Sequence, residues 1–190
     1  MILQGNEDLR IVKTIEGIHH AFESLICEKE YGDITVKELC ERARINKKTF
    51  YHYYETLNAL LAEMQEQLSV GFLNRVKGYS LPEELDKVNR EFFVFASEQG
   101  LAYEKITCGG SYRYIRDEMT DRVNAEGWRK SGKYQHLSEF EKKLLMEFVN
   151  ESVLTAYRQW VESGKPMPLE DVIEMTNRLV LGGVNGFFQS

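Results

Sequence analysis

Apolar residues recur at steps of three and four along most of the chain, the spacing that lines one face of an α-helix. Ile11, Ile15, Ile18, Phe22 and Leu25 predict one amphipathic helix over residues 9–29, ended by Tyr31-Gly32-Asp33. Thr35-Val36-Lys37-Glu38 has the order of a capping box, with Thr35 as N-cap and Glu38 reaching back. Val36, Leu39, Cys40 and Ala43 form the apolar stripe of the short helix that follows. Ile45-Asn46 breaks the pattern, and Asn46 is a suitable N-cap for a third helix from Lys47 to Tyr53. Thr56 caps a long fourth helix whose Leu57, Leu60, Leu61, Met64, Leu68 and Phe72 face inward.

The rest of the chain reads the same way. Gly78 closes the fourth helix, and Pro82 is expected at the first position of the next, where Glu83 and Glu84 favour the helix dipole. Phe92, Phe93 and Phe95 crowd that helix before Gly100. Residues 101–108 and 112–126 predict two further helices parted by Gly109-Gly110, and Gly127 to His136 reads as a polar loop. Ser138-Glu139-Phe140-Glu141 repeats the capping-box order and opens a helix to Ser163, with Gly164 as C-cap. Pro168 begins a last helix to about Phe188. Strand alternation, internal repeats and low-complexity tracts are absent from the pattern. The expected fold is all-α with about nine helices: an N-terminal three-helix unit over residues 1–54 and a helical body over 55–190.

Composition narrows the function classes. The 190 residues carry a net charge of −6, and three widely spaced cysteines, Cys27, Cys40 and Cys108. The cysteines offer neither a disulfide framework nor a ligand cluster, so no metal and no cofactor is expected. No apolar run approaches the ~20 residues of a membrane span, and the N-terminus lacks the order of a signal peptide. Both point to a cytoplasmic protein without membrane contact. No acid, base or nucleophile constellation of an enzyme is visible.

The charge distribution matters more than its sum. From Arg42 to Tyr53 there are four cations, Arg42, Arg44, Lys47 and Lys48, and no acid. Three short helices ending in a basic, polar third helix have the layout of a helix-turn-helix, whose last helix enters the major groove. Leu39, Cys40, Ala43, Ile45 and Phe50 can hold that helix against its neighbours. Asn46, Lys47, Lys48, Thr49 and His52 are then left to face DNA, and Tyr51 and Tyr53 can donate phenolic hydrogen bonds to phosphates. The start of the second helix, at Thr35 and Val36, offers backbone N–H groups to a further phosphate.

The stretch Ile34-Thr35-Val36-Lys37-Glu38-Leu39, followed by Ala43-Arg44-Ile45-Asn46-Lys47-Lys48-Thr49-Phe50-Tyr51-His52-Tyr53-Tyr54, resembles the DNA-binding signature of the tetracycline-repressor (TetR) family. The segment from Ala156-Tyr157-Arg158-Gln159-Trp160 to Gly164 is similar to the C-terminal region of TetR-like regulators of Firmicutes. The resemblance implies a homodimer formed through the last two helices, binding operator double-stranded DNA as a transcriptional regulator, usually a repressor, under control of a small ligand in the body. By position it implies DNA contact by Thr35, Lys37, Lys47, Thr49, Tyr51, His52 and Tyr53. One departure stands out: Leu57, followed by Asn58, occupies the place where the family often has a phosphate-binding lysine. Leu57 and the acidic total support a second reading, a protein of this fold that contacts a protein partner in place of DNA.

Two further sets of residues belong to the body. Phe92, Phe95, Tyr103, Cys108 and Tyr112 are expected to line a cavity for a small apolar or aromatic ligand. Over residues 138–163, Phe140, Leu144, Phe148, Ser152 and Ala156 form one apolar stripe, and Met146, Val149, Val153, Tyr157 and Trp160 form a second beside it. A helix apolar on two faces must bury both. The expected dimer interface is Ser152, Ala156, Trp160, Val172, Thr176, Leu179, Gly182 and Gly186.

Overall fold

The Asp8 carboxylate accepts from the Arg10 N–H at 2.8 Å and so caps α1, Leu9–Glu28. The computed structural model describes residues 8–108 and 127–189. The expected helix over 112–126, the Gly109-Gly110 break and Tyr112 lie outside the described residues.

A 3-10 turn at Tyr31–Asp33 leads to α2, Val36–Ala43, and α3, Lys47–Tyr53. The Thr35/Glu38 capping box closes as the spacing predicts, with Glu38 N–H donating to Thr35 Oγ1 at 3.2 Å. The break between α2 and α3 begins one residue early, at Arg44, whose φ of +55° puts it in the left-handed region. There its N–H bonds the Cys40 and Glu41 carbonyls. Thr56 Oγ1 accepts from the Ala59 N–H at 3.1 Å and starts α4, Leu57–Val76.

The body follows with α5, Leu85–Glu98; α6, Leu101–Cys108; α7, Gly132–Gln135; α8, Glu139–Glu162; and α9, Leu169–Phe188. The described residues contain no strand. Two expectations need correction. Pro82 does not open a helix: residues 81–84 form a turn, and α5 starts at Leu85. The Glu84 carboxylate there accepts from the Ser80 N–H at 2.9 Å and pairs with Lys87, so the local bonds favour a turn. The polar stretch 127–136 is not all loop, because Ser131 caps the single turn of α7 and Tyr134 packs on the fully buried Trp128.

Two cores result. The first joins Ile18, Phe22 and Leu25 of α1 with Leu39, Phe50, Tyr54, and Leu60, Leu61 and Met64 of α4. It also takes Ile106 from α6. Lys105 Nζ donates to the Cys27 carbonyl at 2.8 Å, so α6 is tied to the C-terminal end of α1. The second core joins Leu85, Phe93 and Ala96 of α5 with Val149, Val153 and Tyr157 of α8 and Val172, Ile173, Val180 and Val184 of α9.

Candidate nucleic-acid interface and body cavity

α3 is positioned by its own apolar side. Phe50 is fully buried in the first core and stacks at a tilt on Tyr54, 5.9 Å between ring centroids. Tyr54 is held in turn: its hydroxyl donates to Glu63 Oε1 at 2.9 Å and lies 3.0 Å from His19 Nε2. Burial raises the Tyr54 phenol to about 12. His19 and Glu63 thereby clamp the end of α3 between α1 and α4.

With Phe50 inward, Lys47, Lys48, Tyr51 and His52 are exposed, Tyr51 by 54%. Neither lysine enters an ion pair with a described residue. Tyr53 is half-buried, its ring edge against His52 at 4.9 Å. Asn46 is exposed but engaged: its Oδ1 accepts from the Thr49 N–H at 2.8 Å and from the Thr49 hydroxyl at 3.1 Å. Both side chains therefore build the start of α3 and present less to a partner than the sequence pattern suggests.

Thr35 and Lys37 are exposed on α2 and its cap. Hydrogen bonds from Lys29 and from Thr35 hold the Glu38 carboxyl down at about 2. The capping box therefore keeps its charge throughout the ordinary pH range. Lys37 lies 3.9 Å from Glu41, a loose exposed pair that a phosphate can displace. Arg42 belongs elsewhere: its guanidinium holds the Glu28 carboxylate at 2.5 and 2.8 Å and Ser24 Oγ at 2.7 Å, bracing α2 on α1. The positive charge of the patch that is free to meet a partner thus reduces to Arg44, Lys47 and Lys48. Leu57 sits half-buried at the edge of the first core, and Asn58 Oδ1 accepts from the Tyr31 hydroxyl. Thr35→Ala is expected to lower stability by about 1 kcal/mol, a fall in Tm of roughly 2–4 °C for a chain of this size. Thermal melting checks it.

The body holds a partly open cavity of about 900 Å³ bordered by α4, α5, α6, α8 and the segment 127–134. Phe92, Phe95 and Tyr103 of the predicted set line it, with Leu68 and Phe72 of α4. Cys108 is not on its wall; it is half-buried and packs against the second core. Burial pushes the Tyr103 phenol up to about 12. Lys77, Arg129, Lys130, Lys142 and Lys143 also reach the cavity wall, against Glu139, Glu147 and Glu151. Ile106 lines the cavity and also packs in the first core, so one side chain touches both.

The two stripes of α8 part company. Val149, Val153 and Tyr157 are buried, while Phe140, Leu144 and Phe148 are exposed, Phe140 by 75%. On α9, Leu179 is 74% exposed beside Gly182 and Gly186, where an added Cβ would meet nothing within 4 Å. Gly183 lies so close to Phe148 that a Cβ would fall 2.6 Å from its ring. Val172 and Thr176 must be corrected: both are buried within the chain, and Thr176 Oγ1 donates to the Val172 carbonyl at 2.7 Å. They face the second core because α5 and α8 cover that side of α9. Trp160 is likewise engaged, its Nε1 donating to the Met167 carbonyl at 2.9 Å, and Ala156 is half-buried against the same core.

Residues 18–64 match the family described as bacterial regulatory proteins, tetR family. Over 78 residues the chain is 30% identical to the uncharacterized HTH-type transcriptional regulator YxbF of Bacillus subtilis strain 168. That match covers 40% of this chain and 20% of the relative's length. The fold resembles a TetR transcriptional regulator from Streptococcus agalactiae 2603V, with a TM-score of 0.67, 22% identity, and 90% of this chain and 95% of that one covered. It also resembles the regulator FadR from Bacillus subtilis in complex with stearoyl-CoA, with a TM-score of 0.64, 17% identity, and 88% and 98% covered.

Proposed function

We propose, for a chain whose N-terminal domain belongs to the tetR family of bacterial regulatory proteins, that the whole protein is a cytoplasmic, ligand-responsive DNA-binding transcriptional regulator acting as a homodimer. The observation that carries the reading is α3: Phe50 locks the helix inward while Lys47, Lys48, Tyr51 and His52 stand exposed on its other side. Cations and phenolic hydroxyls are groups that phosphates and base edges accept. A single recognition helix reads few base pairs, so a pair of them supplies specificity. The pairing surface is the apolar face of Phe140, Leu144, Phe148 and Leu179 beside Gly182 and Gly186, meeting its own copy about a two-fold axis. Such an interface should bury upwards of ~1,500 Å² in total. Among the described residues nothing favours a partner protein in place of DNA.

The ligand reading rests on the cavity. Its wall is aromatic and aliphatic, and several lysines and Arg129 reach it. This suits an elongated apolar molecule with an anionic end, and FadR of the same fold holds stearoyl-CoA. The bound molecule would touch α4 and Ile106, both of which also belong to the core that holds α3. It can shift DNA affinity only by preferring one arrangement of those elements. Stearic acid or stearoyl-CoA is expected to raise the Tm of the protein and to release it from DNA in a gel shift against the region upstream of its own gene. No thermal shift with either would overturn the ligand class. No retarded complex in the absence of ligand would overturn DNA binding itself.

A further inference from the structure

Gln65 is a polar side chain in an apolar setting. It lies on α4 one turn after Leu61 and directly after Met64, both buried in the first core. It is only 2% exposed, it lines the body cavity, and its Oε1 has no hydrogen-bond partner among the described residues. A buried amide oxygen left without a donor is unfavourable, and such groups persist where something else uses them.

Two other buried polar side chains of the cavity wall also present acceptors. Ser69, one turn further along α4, spends its hydroxyl proton on the Gln65 backbone carbonyl at 2.9 Å, which leaves its oxygen to accept. Asn89 of α5 is also buried and also lines the cavity. Its orientation is fixed through Asn177: the Asn177 amide donates to the Asp86 carbonyl at 3.2 Å, so Asn177 Oδ1 must accept. Asn89 Nδ2 therefore donates to Asn177 Oδ1, at 3.0 Å, and Asn89 Oδ1 is left as an acceptor. Gln65, Ser69 and Asn89 thus each bring an acceptor oxygen to the cavity wall.

We propose that Gln65 reads a neutral hydrogen-bond donor, a hydroxyl, carried within the apolar body of the ligand. The inference rests on the cavity reading above and deepens it, since it sets which apolar molecules are preferred. A plain hydrocarbon chain leaves the Gln65 oxygen unpaired, whereas a hydroxylated chain satisfies it. A site built to hydrogen-bond a hydroxyl discriminates strongly against the analogue lacking it.

Two measurements on the full chain test this. In the first, Gln65→Met removes the amide at nearly constant volume, and the ligand-free variant is expected to melt about 3 °C or more above the parent, because an unsatisfied buried group has gone. In the second, stearic acid is compared with a series of hydroxystearic acids differing in hydroxyl position, by calorimetric titration. The parent is expected to bind at least one hydroxylated member roughly tenfold or more tightly than stearic acid, and Gln65→Met to bind no hydroxylated member more tightly than stearic acid. If the parent binds stearic acid but prefers no hydroxylated member, the assignment to Gln65 is overturned and the cavity reading stands. If no member of the series, stearic acid included, binds either protein, the cavity reading fails and the Gln65 assignment with it. An unchanged Tm in Gln65→Met also contradicts the inference.

Discussion

Leu179→Arg should turn the protein into a monomer that no longer retains operator DNA. Leu179 is 74% exposed on a single chain, so the protomer does not need it to fold. Phe140, Leu144 and Phe148 are exposed on the neighbouring helix, and Phe148 lies against Gly183 of α9, so the exposed apolar side chains of the two helices adjoin there. Placing a guanidinium there sets two like charges near the two-fold axis and leaves each without a partner. Losing the second recognition helix removes the gain from paired half-sites, a fall in affinity on the order of a hundredfold or more. Sedimentation at micromolar concentration and a gel shift on the same samples read the two effects, and circular dichroism checks the fold. A Leu179→Arg protein that stays dimeric and binds DNA normally would place the interface elsewhere.

The second large effect lies on α3. Replacing Lys47 and Lys48 together with alanine is expected to weaken operator binding roughly 10- to 100-fold at ~0.1 M salt, with unchanged melting. For every phosphate that no longer meets a lysine, the slope of log affinity against log salt should fall by about 0.9. Tyr51→Phe removes only a hydroxyl and should cost less than Tyr51→Ala. Arg42→Ala should behave differently: its guanidinium holds Glu28 and Ser24, so its loss lowers stability before it touches the salt slope. Equal behaviour of the Arg42 and Lys47/Lys48 variants would show that the exposed side of α3 is not the contact surface.

The helices and their starts were legible because caps are local chemistry. Thr35 with Glu38, Ser138 with Glu141, Asn46 with Thr49 and Thr56 with Ala59 are partners three residues apart. The misreadings arise where other contacts override or replace such local signals. Pro82 has the form of a helix start, yet the bond from Ser80 N–H to Glu84 keeps the chain in a turn. The turn at α7 depends on Tyr134 finding Trp128. Arg44 takes a left-handed conformation that no glycine or asparagine announces. Arg42 reads as part of a basic patch until Glu28, fourteen positions earlier, is brought beside it.

The body shows the same limit. Both stripes of α8 were visible, but which side of α8 and α9 turns inward depends on where α5 packs. That is why Val172 and Thr176 join the core while Leu179 stays outside. The cavity residues Phe92, Phe95 and Tyr103 were legible as an aromatic cluster. Gln65 did not stand out in the sequence, and only the packed structure shows its oxygen buried without a donor among the described residues.

The most direct test of the central claim is a footprint of the purified full chain on the DNA upstream of its own gene. Two protected half-sites related by approximate two-fold symmetry, spaced by about one helical turn or a small multiple of it, are the predicted result. They should vanish together in the Lys47/Lys48 double variant and in Leu179→Arg. Protection that is absent, or that spreads evenly along any DNA of the same length, would contradict the account.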